Sequence, residues 1–280
     1  MKLLLTSDLH KDGTKLLWLL EEAPPCDALL VAGDLLDIFS KTSFTEQTAG
    51  TLRWREAVIA TGKSFAWCSG NHDFFHDDKT AMSGASPLWM KQSPSSQTCV
   101  TDGETRILHT GAERIAISSI PWPVQGSKII VDGKPASFLD FVRHLLSEGK
   151  KLRAEERVPW LILCHEPPGG TPSSATSAIL APDFATQAIK AAEPDFSLHG
   201  HFHNAPTAPG GAWIWRIGKT ICFNAGQSSE DRLPQYILIE WRSAGDWTAH
   251  WHGEGRILRA ESTRDSAEEY EKHRIGEAPP

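Results

Sequence analysis

Five short polar motifs, each placed directly after a short apolar run, constrain this 280-residue chain more than any other feature of its sequence. The apolar runs are continuous and bounded by loop residues, which predicts buried strands. In α/β sheets, ligands bind at the carboxyl ends of strands, so we expect residues that are far apart in sequence to converge on one rim. The motifs are Asp8-Leu9-His10, Gly33-Asp34-Leu35-Leu36-Asp37, Gly70-Asn71-His72-Asp73, His165 and Gly200-His201-Phe202-His203.

The strand-like runs alternate with helix-like segments, and this alternation favours an α/β core. The predicted strands cover residues 2–6, 28–32, 64–68, 160–164 and 195–198. The predicted helices cover residues 14–22, 137–157 and 181–193, where apolar residues recur at helical spacing. Beyond residue 210, aromatic and β-branched residues predict a series of antiparallel strands at residues 212–217, 219–224, 235–241 and 247–252.

The length of the chain allows one large α/β domain or two small ones, and we predict a single domain over residues 1–254. Residues 255–280 are rich in Arg, Glu and Lys and poor in large apolar residues, which predicts a charged helix or tail. Residues 74–96 and 167–177 are polar and rich in loop-forming residues, so both are candidate substrate-lining loops.

Composition and charge exclude several classes of protein. The net charge of -7 and the sequence pI of about 5.9 disfavour extended nucleic-acid binding. No apolar stretch approaches the roughly 18–20 residues that cross a bilayer, so we expect no membrane association. The five cysteines are scattered and include no C-x-x-C pair, which is typical of reduced thiols, and we therefore expect a cytoplasmic protein.

The polar motifs offer carboxylate oxygens, an amide oxygen and imidazole nitrogens, a mixture that suits Mn, Fe or Zn. Taken alone, each motif has an ordinary structural interpretation: a lone histidine is often a buried structural residue, and Gly33-Asp34 is a common strand-ending turn. The pair His201 and His203 is more specific, because residues two apart in an extended loop point to the same side. The ordered set indicates a metal site.

Together, the five motifs resemble those of the calcineurin-like metallophosphoesterase superfamily, over residues 2 to about 226. The resemblance implies two mixed β-sheets packed as a sandwich and flanked by helices, with a dinuclear metal site at the carboxyl ends of the strands. It implies that a first metal ion is held by Asp8, His10 and His203, that a second is held by Asn71, His165 and His201, and that Asp34 bridges the two.

Two metal ions about 3.5–4 Å apart can bridge a hydroxide and clamp phosphate oxygens for in-line attack on phosphorus. His72 resembles the non-ligand histidine of the superfamily, which implies that it protonates the leaving oxygen, and Asp73 would orient it. The alternative is that His72 and Asp73 only form the turn that presents Asn71. Asp37 is expected to support its loop rather than to bind metal.

These expectations describe a metal-dependent phosphomonoesterase or phosphodiesterase that acts on a small phosphorylated substrate. His76 and Trp122 are our candidates for lining its substrate pocket. A nuclease of the same superfamily is one alternative, and it would need a basic groove or a stacking platform. A binding scaffold without catalysis is another, and it should have lost metal ligands or His72.

Overall fold

The computed structural model describes residues 1–74, 82–92, 96–124, 128–169, 184–243 and 245–262. Its strands are β1 (Lys2–Thr6), β2 (Ala28–Ala32), β3 (Ser64–Cys68), β4 (Met82–Ser83), β5 (Ser86–Pro87), β6 (Cys99–Val100), β7 (Thr105–Thr110), β8 (Glu113–Ile120), β9 (Ile129–Val131), β10 (Lys134–Ala136), β11 (Trp160–Cys164), β12 (Phe196–His199), β13 (Ile214–Ile217), β14 (Thr220–Asn224), β15 (Tyr236–Ser243), β16 (Asp246–Gly253) and β17 (Arg256–Glu261). Its helices are α1 (Gly13–Glu21), α2 (Phe44–Ala60), α3 (Phe138–Glu156) and α4 (Phe184–Ala192), with a 3₁₀ turn at Leu88–Lys91.

Two mixed sheets carry the fold, as predicted. The first has seven strands in the order β17-β16-β15-β1-β2-β3-β6, and the second has six in the order β13-β14-β12-β11-β8-β7. In the first sheet β1, β2 and β3 run parallel, and in the second β8, β11, β12 and β14 do. Parallel neighbours end at the same edge, so the loops that carry the polar motifs emerge together.

The apolar residues lie in three layers, which makes the molecule a sandwich flanked by helices. The inner faces of both sheets share one core, to which β1 contributes Leu3 and Leu5 and β11 contributes Leu161. The outer face of the first sheet packs against α1 and α2, and Leu4 of β1 points there. The outer face of the second sheet packs in the same way against α3 and α4. The alternation along β1 is the two-residue period of a strand.

Most of the predicted elements are confirmed. The strands at residues 2–6, 28–32, 64–68 and 160–164 have the predicted bounds. Helices α1 and α3 agree with the predicted bounds within one residue at each end. Helix α2 was not expected. Its sequence signal is the capping box in which Ser43 and Glu46 each accept a hydrogen bond from the other's backbone N–H.

The carboxyl-terminal strands correct two predictions. They do not form one antiparallel series: β14 pairs in parallel with β12 in the second sheet, whereas β15 and β16 join the first sheet. Strand β17 lies in the segment predicted as a charged helix or tail, and it pairs with β16 because its Ala260 is buried in the inner core while its charged residues stay at the surface. Residues 263–280 lie outside the described part.

No helix among the described residues is long and apolar enough to cross a membrane. The two predicted substrate-lining loops are described only in part. Within the first, a short hairpin of β4 and β5 leads into the 3₁₀ turn, and residues 75–81 and 93–95 lie outside the description. Most of the second loop, residues 170–177, lies outside it as well.

Candidate metal centre

The carboxyl ends of five strands from both sheets deliver the polar motifs. Asp8 and His10 follow β1, Asp34 follows β2, Asn71 and His72 follow β3, His165 follows β11, and His201 and His203 follow β12. The structure brings all seven sequence-predicted metal ligands into one cluster, in two groups that meet at Asp34.

The first group consists of Asp8, His10 and His203. Oδ1 of Asp8 lies 3.2 Å from Nε2 of His203, and that nitrogen lies 3.2 Å from Nε2 of His10. One donor atom from each residue falls within 4.8 Å of the others, so the three could hold a single ion. The backbone N–H of His201 donates to both oxygens of the Asp8 carboxylate at 3.1 Å, which fixes the orientation of this carboxylate.

The second group consists of Asn71, His165 and His201. Oδ1 of Asn71 lies 3.2 Å from Nε2 of His165 and 2.9 Å from Nδ1 of His201. Donor atoms of His165 and His201 also fall within 4.8 Å of one another and of a carboxylate oxygen of Asp34. An amide oxygen and two imidazole nitrogens therefore face a common point.

Asp34 lies between the two groups. Its Oδ2 is 3.2 Å from Nε2 of His165, in the second group, and 4.0 Å from Nε2 of His10, in the first. Its other oxygen, Oδ1, accepts a 2.8 Å hydrogen bond from the backbone N–H of His72, which fixes the orientation of the carboxylate. The side chain that was predicted to bridge two ions thus lies within 4.0 Å of a histidine from each group.

The loops that present these ligands adopt unusual backbone conformations. Four site residues have positive φ: Asp8 at 53°, His10 at 44°, Asp34 at 53° and His201 at 69°. Such conformations cost about 1–3 kcal/mol each and cluster at functional sites. Gly33 has φ 81°, and a Cβ there would lie only 2.5 Å from Nδ1 of His165, so the position accepts nothing larger. The backbone of the loops that present the candidate ligands is therefore strained, and this strain lowers the stability of the fold.

His165 is fixed by its own carbonyl partner. Its Nδ1–H donates to the Ala32 carbonyl oxygen at 2.6 Å, which leaves Nε2 directed at the oxygens of Asp34, Asn71 and Asp8. This arrangement, with the distal nitrogen tied to a carbonyl, is common among metal-binding histidines.

The electrostatics of the cluster also fit a cation. Burial disfavours a charged His165, but the Asp34 and Asp8 carboxylates raise its pKa to about 10. Burial likewise disfavours a charged Asp8, yet His165 and His203 hold its pKa well below the usual range. Burial and His165 lower the pKa of His201 to about 4, so its ring is neutral, the form that binds metal. Buried carboxylates that need positive charge, next to the neutral imidazole of His201, form a donor set that a divalent metal ion fits.

Asp73 does not take the expected role. Its carboxylate accepts four backbone hydrogen bonds of 2.8–3.0 Å, from Gly70, Asp34, Leu35 and Leu36. The side chain is therefore directed into the neighbouring loop rather than toward the ring of His72, and it ties the loops after β2 and β3 together. The predicted contact with His72 is thus not the one that the Asp73 carboxylate makes: it holds the loop of Asp34 instead.

The carboxylate beside His72 is that of Asp37, whose Oδ1 lies 3.8 Å from Nδ1. The Ile38 N–H donates to the same nitrogen at 3.4 Å, so a neutral His72 carries its proton on Nε2. Burial lowers the pKa of His72, which favours that neutral form. Asp37 also accepts a 2.8 Å bond from the Phe39 N–H, in agreement with its predicted support of the loop.

Of the two predicted pocket residues, Trp122 is described and His76 lies outside the described residues. The Trp122 ring centroid lies 5.2 Å from that of His201 and 5.5 Å from that of His165, and the residue is 7% exposed. Trp122 therefore forms a wall behind the second group. Its value as a substrate contact stays a prediction.

Two further residues at the centre were missed. Oε2 of Glu166 lies 4.0 Å from Nε2 of His201, on the side of the ring away from Asn71. Phe39 lies beside His72, with ring centroids 5.5 Å apart. The only sequence signal for either was its position next to a motif, because Glu166 follows His165 directly and Phe39 comes two residues after Asp37.

The sequence model of the calcineurin-like phosphoesterase family matches residues 1–205 of the chain. Among solved structures, the protein TT1561 of Thermus thermophilus is similar, with a TM-score of 0.55 and 14% identity over 94% of this chain and 99% of that one. A putative 5'-nucleotidase from Staphylococcus aureus, solved with alpha-ketoglutarate, has a TM-score of 0.52 and 12% identity over 98% of this chain but 57% of its own length. At these identities the likeness concerns the fold alone. No match to the chain is found among curated proteins.

Proposed function

Because the chain belongs to the calcineurin-like phosphoesterase family, we propose that it hydrolyses small phosphorylated substrates at this centre with two bound metal ions. The observation that carries the proposal is the position of Asp34. One carboxylate oxygen of Asp34 faces both His165 and His10, and these histidines belong to different groups of ligands.

The first group would hold one ion and the second group the other, with Asp34 shared between them; Mn, Fe and Zn suit the donors. When bound, the ions would supply a hydroxide as nucleophile at neutral pH and offset the negative charge of the phosphate. A carboxylate between two cations reduces their mutual repulsion. The family assignment supports hydrolysis of a phosphoester in general, and the geometry supports the two-ion form of it.

His72 would act on the leaving oxygen through Nε2, either by giving it a proton from the charged ring or by stabilising its negative charge with a hydrogen bond from the neutral ring. Nε2 carries the proton of the neutral ring, because Nδ1 accepts from the Ile38 N–H. Asp37 lies within 3.8 Å of Nδ1 and would stabilise the charged ring from which the proton is given. Asp73 contributes indirectly, by holding the backbone of Asp34.

A cytoplasmic location is part of the proposal. All five cysteines are free in the structure, and three of them, Cys68, Cys99 and Cys222, are buried. Scattered unpaired thiols are typical of proteins that work in a reducing compartment.

The direct test is metal add-back. The protein is stripped with a chelator, Mn, Zn, Fe, Ni and Mg are returned separately, and the bound equivalents are counted. Hydrolysis of paired aryl phosphomonoester and phosphodiester substrates is then measured. We expect activity that returns with two bound equivalents of a preferred metal, and the preferred ester assigns the enzyme as a monoesterase or a diesterase. Two bound equivalents without hydrolysis of either ester would contradict the proposal and favour a binding scaffold.

A further inference from the structure

Phe39 is the most exposed large apolar side chain in the described part of the chain, at 82%. Single exposed apolar residues are common and need no explanation by themselves. The other large apolar residues at the surface, such as Leu17 and Ile257, are aliphatic and only half-exposed. Phe39 differs because it is aromatic and belongs to the loop of the candidate metal centre.

The loop holds Phe39 in a defined position. The Phe39 N–H donates to Oδ1 of Asp37 at 2.8 Å, and the Ser40 N–H donates to the Asp37 carbonyl oxygen at 3.2 Å. The side chain of the buried Gln47 in α2 makes two hydrogen bonds to the backbone of Asp37. Its Oε1 accepts from the Asp37 N–H at 2.9 Å, and its Nε2 donates to the Asp37 carbonyl oxygen at 3.0 Å. These hydrogen bonds fix the backbone of the loop that exposes the Phe39 ring to solvent. A fixed loop loses less conformational entropy when a ligand contacts the ring.

The Phe39 ring is also the last of three neighbouring aromatic rings, which begin at the candidate metal ligand His10 and continue through His72. The ring centroids of His10 and His72 are 4.5 Å apart, and those of His72 and Phe39 are 5.5 Å apart with the planes nearly perpendicular, at 74°. In the proposed reaction His72 faces the leaving oxygen. A substituent on that oxygen that extends past His72 toward solvent would meet Phe39.

We propose that Phe39 is a specificity-determining residue that stacks against a planar aromatic ring in the leaving group of the substrate. The substrate class would then be phosphoesters of aromatic alcohols or of nucleosides, and the two differ in how far the ring lies from phosphorus. The inference rests on the proposed function for the identity of the leaving-group side. Stacking of an aromatic side chain on a base is worth about 5- to 150-fold in affinity.

The test uses ligands that cannot be hydrolysed. Binding of phenylphosphonate, a nucleoside 5'-phosphonate and methylphosphonate to the metal-loaded protein is measured by calorimetry for wild type, Phe39→Ala, Phe39→Leu and Phe39→Trp. We expect the Ala and Leu variants to lose about 5- to 150-fold in affinity for an aromatic phosphonate, with methylphosphonate binding unchanged. The Trp variant should keep the aromatic preference, and Ile257→Ala controls for the loss of an exposed apolar side chain.

The two aromatic phosphonates separate the two substrate classes. A larger loss of affinity for phenylphosphonate in Phe39→Ala indicates an aryl ester, and a larger loss for the nucleoside 5'-phosphonate indicates a nucleoside ester. Wild-type protein that binds neither phosphonate class, or that does not prefer an aromatic ring to methyl, overturns the inference, as does equal loss for all three ligands in Phe39→Ala. Ester hydrolysis is measured in parallel and separates the two proposals. Aromatic selectivity without hydrolysis would sink the proposed reaction alone, whereas hydrolysis that is indifferent to Phe39 would sink the stacking role alone.

Discussion

The two groups of candidate ligands share Asp34 but differ in their surroundings. In the first group the side chains of His203 and His10 are 40% and 23% exposed, whereas in the second group those of His165 and His201 are 0% and 18% exposed. The first group therefore opens toward solvent, and the second lies against the protein interior.

Their anchors differ as well. The first group has positive φ at two of its three members, Asp8 and His10, whereas the second has it only at His201. The second depends on packing, with His165 tied to the Ala32 carbonyl and the Trp122 ring against two of its members. The difference teaches that one half of the centre is preformed by the sandwich, while the other half is shaped by loops and is open to substrate. We expect an ion in the first group to exchange more readily.

The largest effect is expected for Asp34→Asn, because this residue belongs to both groups. Removing the charge between two cations should lower hydrolysis by about 10³-fold or more, since metal ions supply several kcal/mol of charge stabilisation. Metal equivalents and turnover are measured together, and Asp37→Asn from the same loop is the matched control for metal content, since it should keep both ions. Wild-type-like turnover in Asp34→Asn would break the idea of a shared ligand.

His72→Ala should come next, with a loss of about 10²- to 10⁴-fold in kcat, as is usual for a general acid. Both ions should stay bound, because each group keeps all of its own donors without His72, although a ring nitrogen of His72 also lies within 4.8 Å of donor atoms of His10 and Asp34. Metal content and the rate for esters with good and poor leaving groups are the readouts, since a lost acid penalises poor leaving groups more. His144→Ala on α3 provides a remote histidine control. Loss of an ion from His72→Ala would show that the residue is a ligand.

The burial difference itself can be tested in metal-free protein. His165→Ala should lower the free energy of unfolding by about 3–5 kcal/mol, because it leaves the buried Asp34 and Asp8 carboxylates without their main counter-charge. His203→Ala should cost less than about 1 kcal/mol, since that side chain is 40% exposed. Urea unfolding of the two variants gives the comparison. Equal destabilisation would remove the distinction between a preformed and a loop-built half.

The smallest effect is expected from Glu166→Gln. The carboxylate lies 4.0 Å from Nε2 of His201, and outer partners of this kind typically contribute about 10- to 100-fold to metal affinity. Competition with a chromophoric chelator should show weaker binding of one ion while the other is unchanged. Glu193→Gln, an exposed glutamate on the surface, is the control. If both ions weaken alike, Glu166 acts on the whole centre rather than on the second group.

The sequence predicted the central strands well because they are buried on both faces and read as continuous apolar runs, as in β2 and β3. Helix α2 escaped prediction because polar residues such as Gln47 and Thr51 are buried on its inner face and obscure its apolar period. The β13–β16 region was predicted as strands but not in its correct pairing, because β14 and β15 pair with β12 and β1, which lie elsewhere in the chain.

Asp73 shows the same limit at the site. Its neighbour in sequence is His72, which suggested a partnership, but its carboxylate bonds the backbone of Leu35 and Leu36 from another loop. Glu166 and Phe39 became candidates for a role at the site only through their contacts in the structure, Glu166 with His201 and Phe39 with His72.

The sequence by itself determined the kinds of donor, their order along the chain and their positions after strands, because strand-ending loops and metal chemistry are local properties of residue types. Only the tertiary structure decided which donors face one another: the His201 N–H binds Asp8, 193 residues away. The physical reason is that these distances depend on the register of parallel strands in two sheets and on how the sheets pack. Those long-range contacts place Asp34 between the two groups.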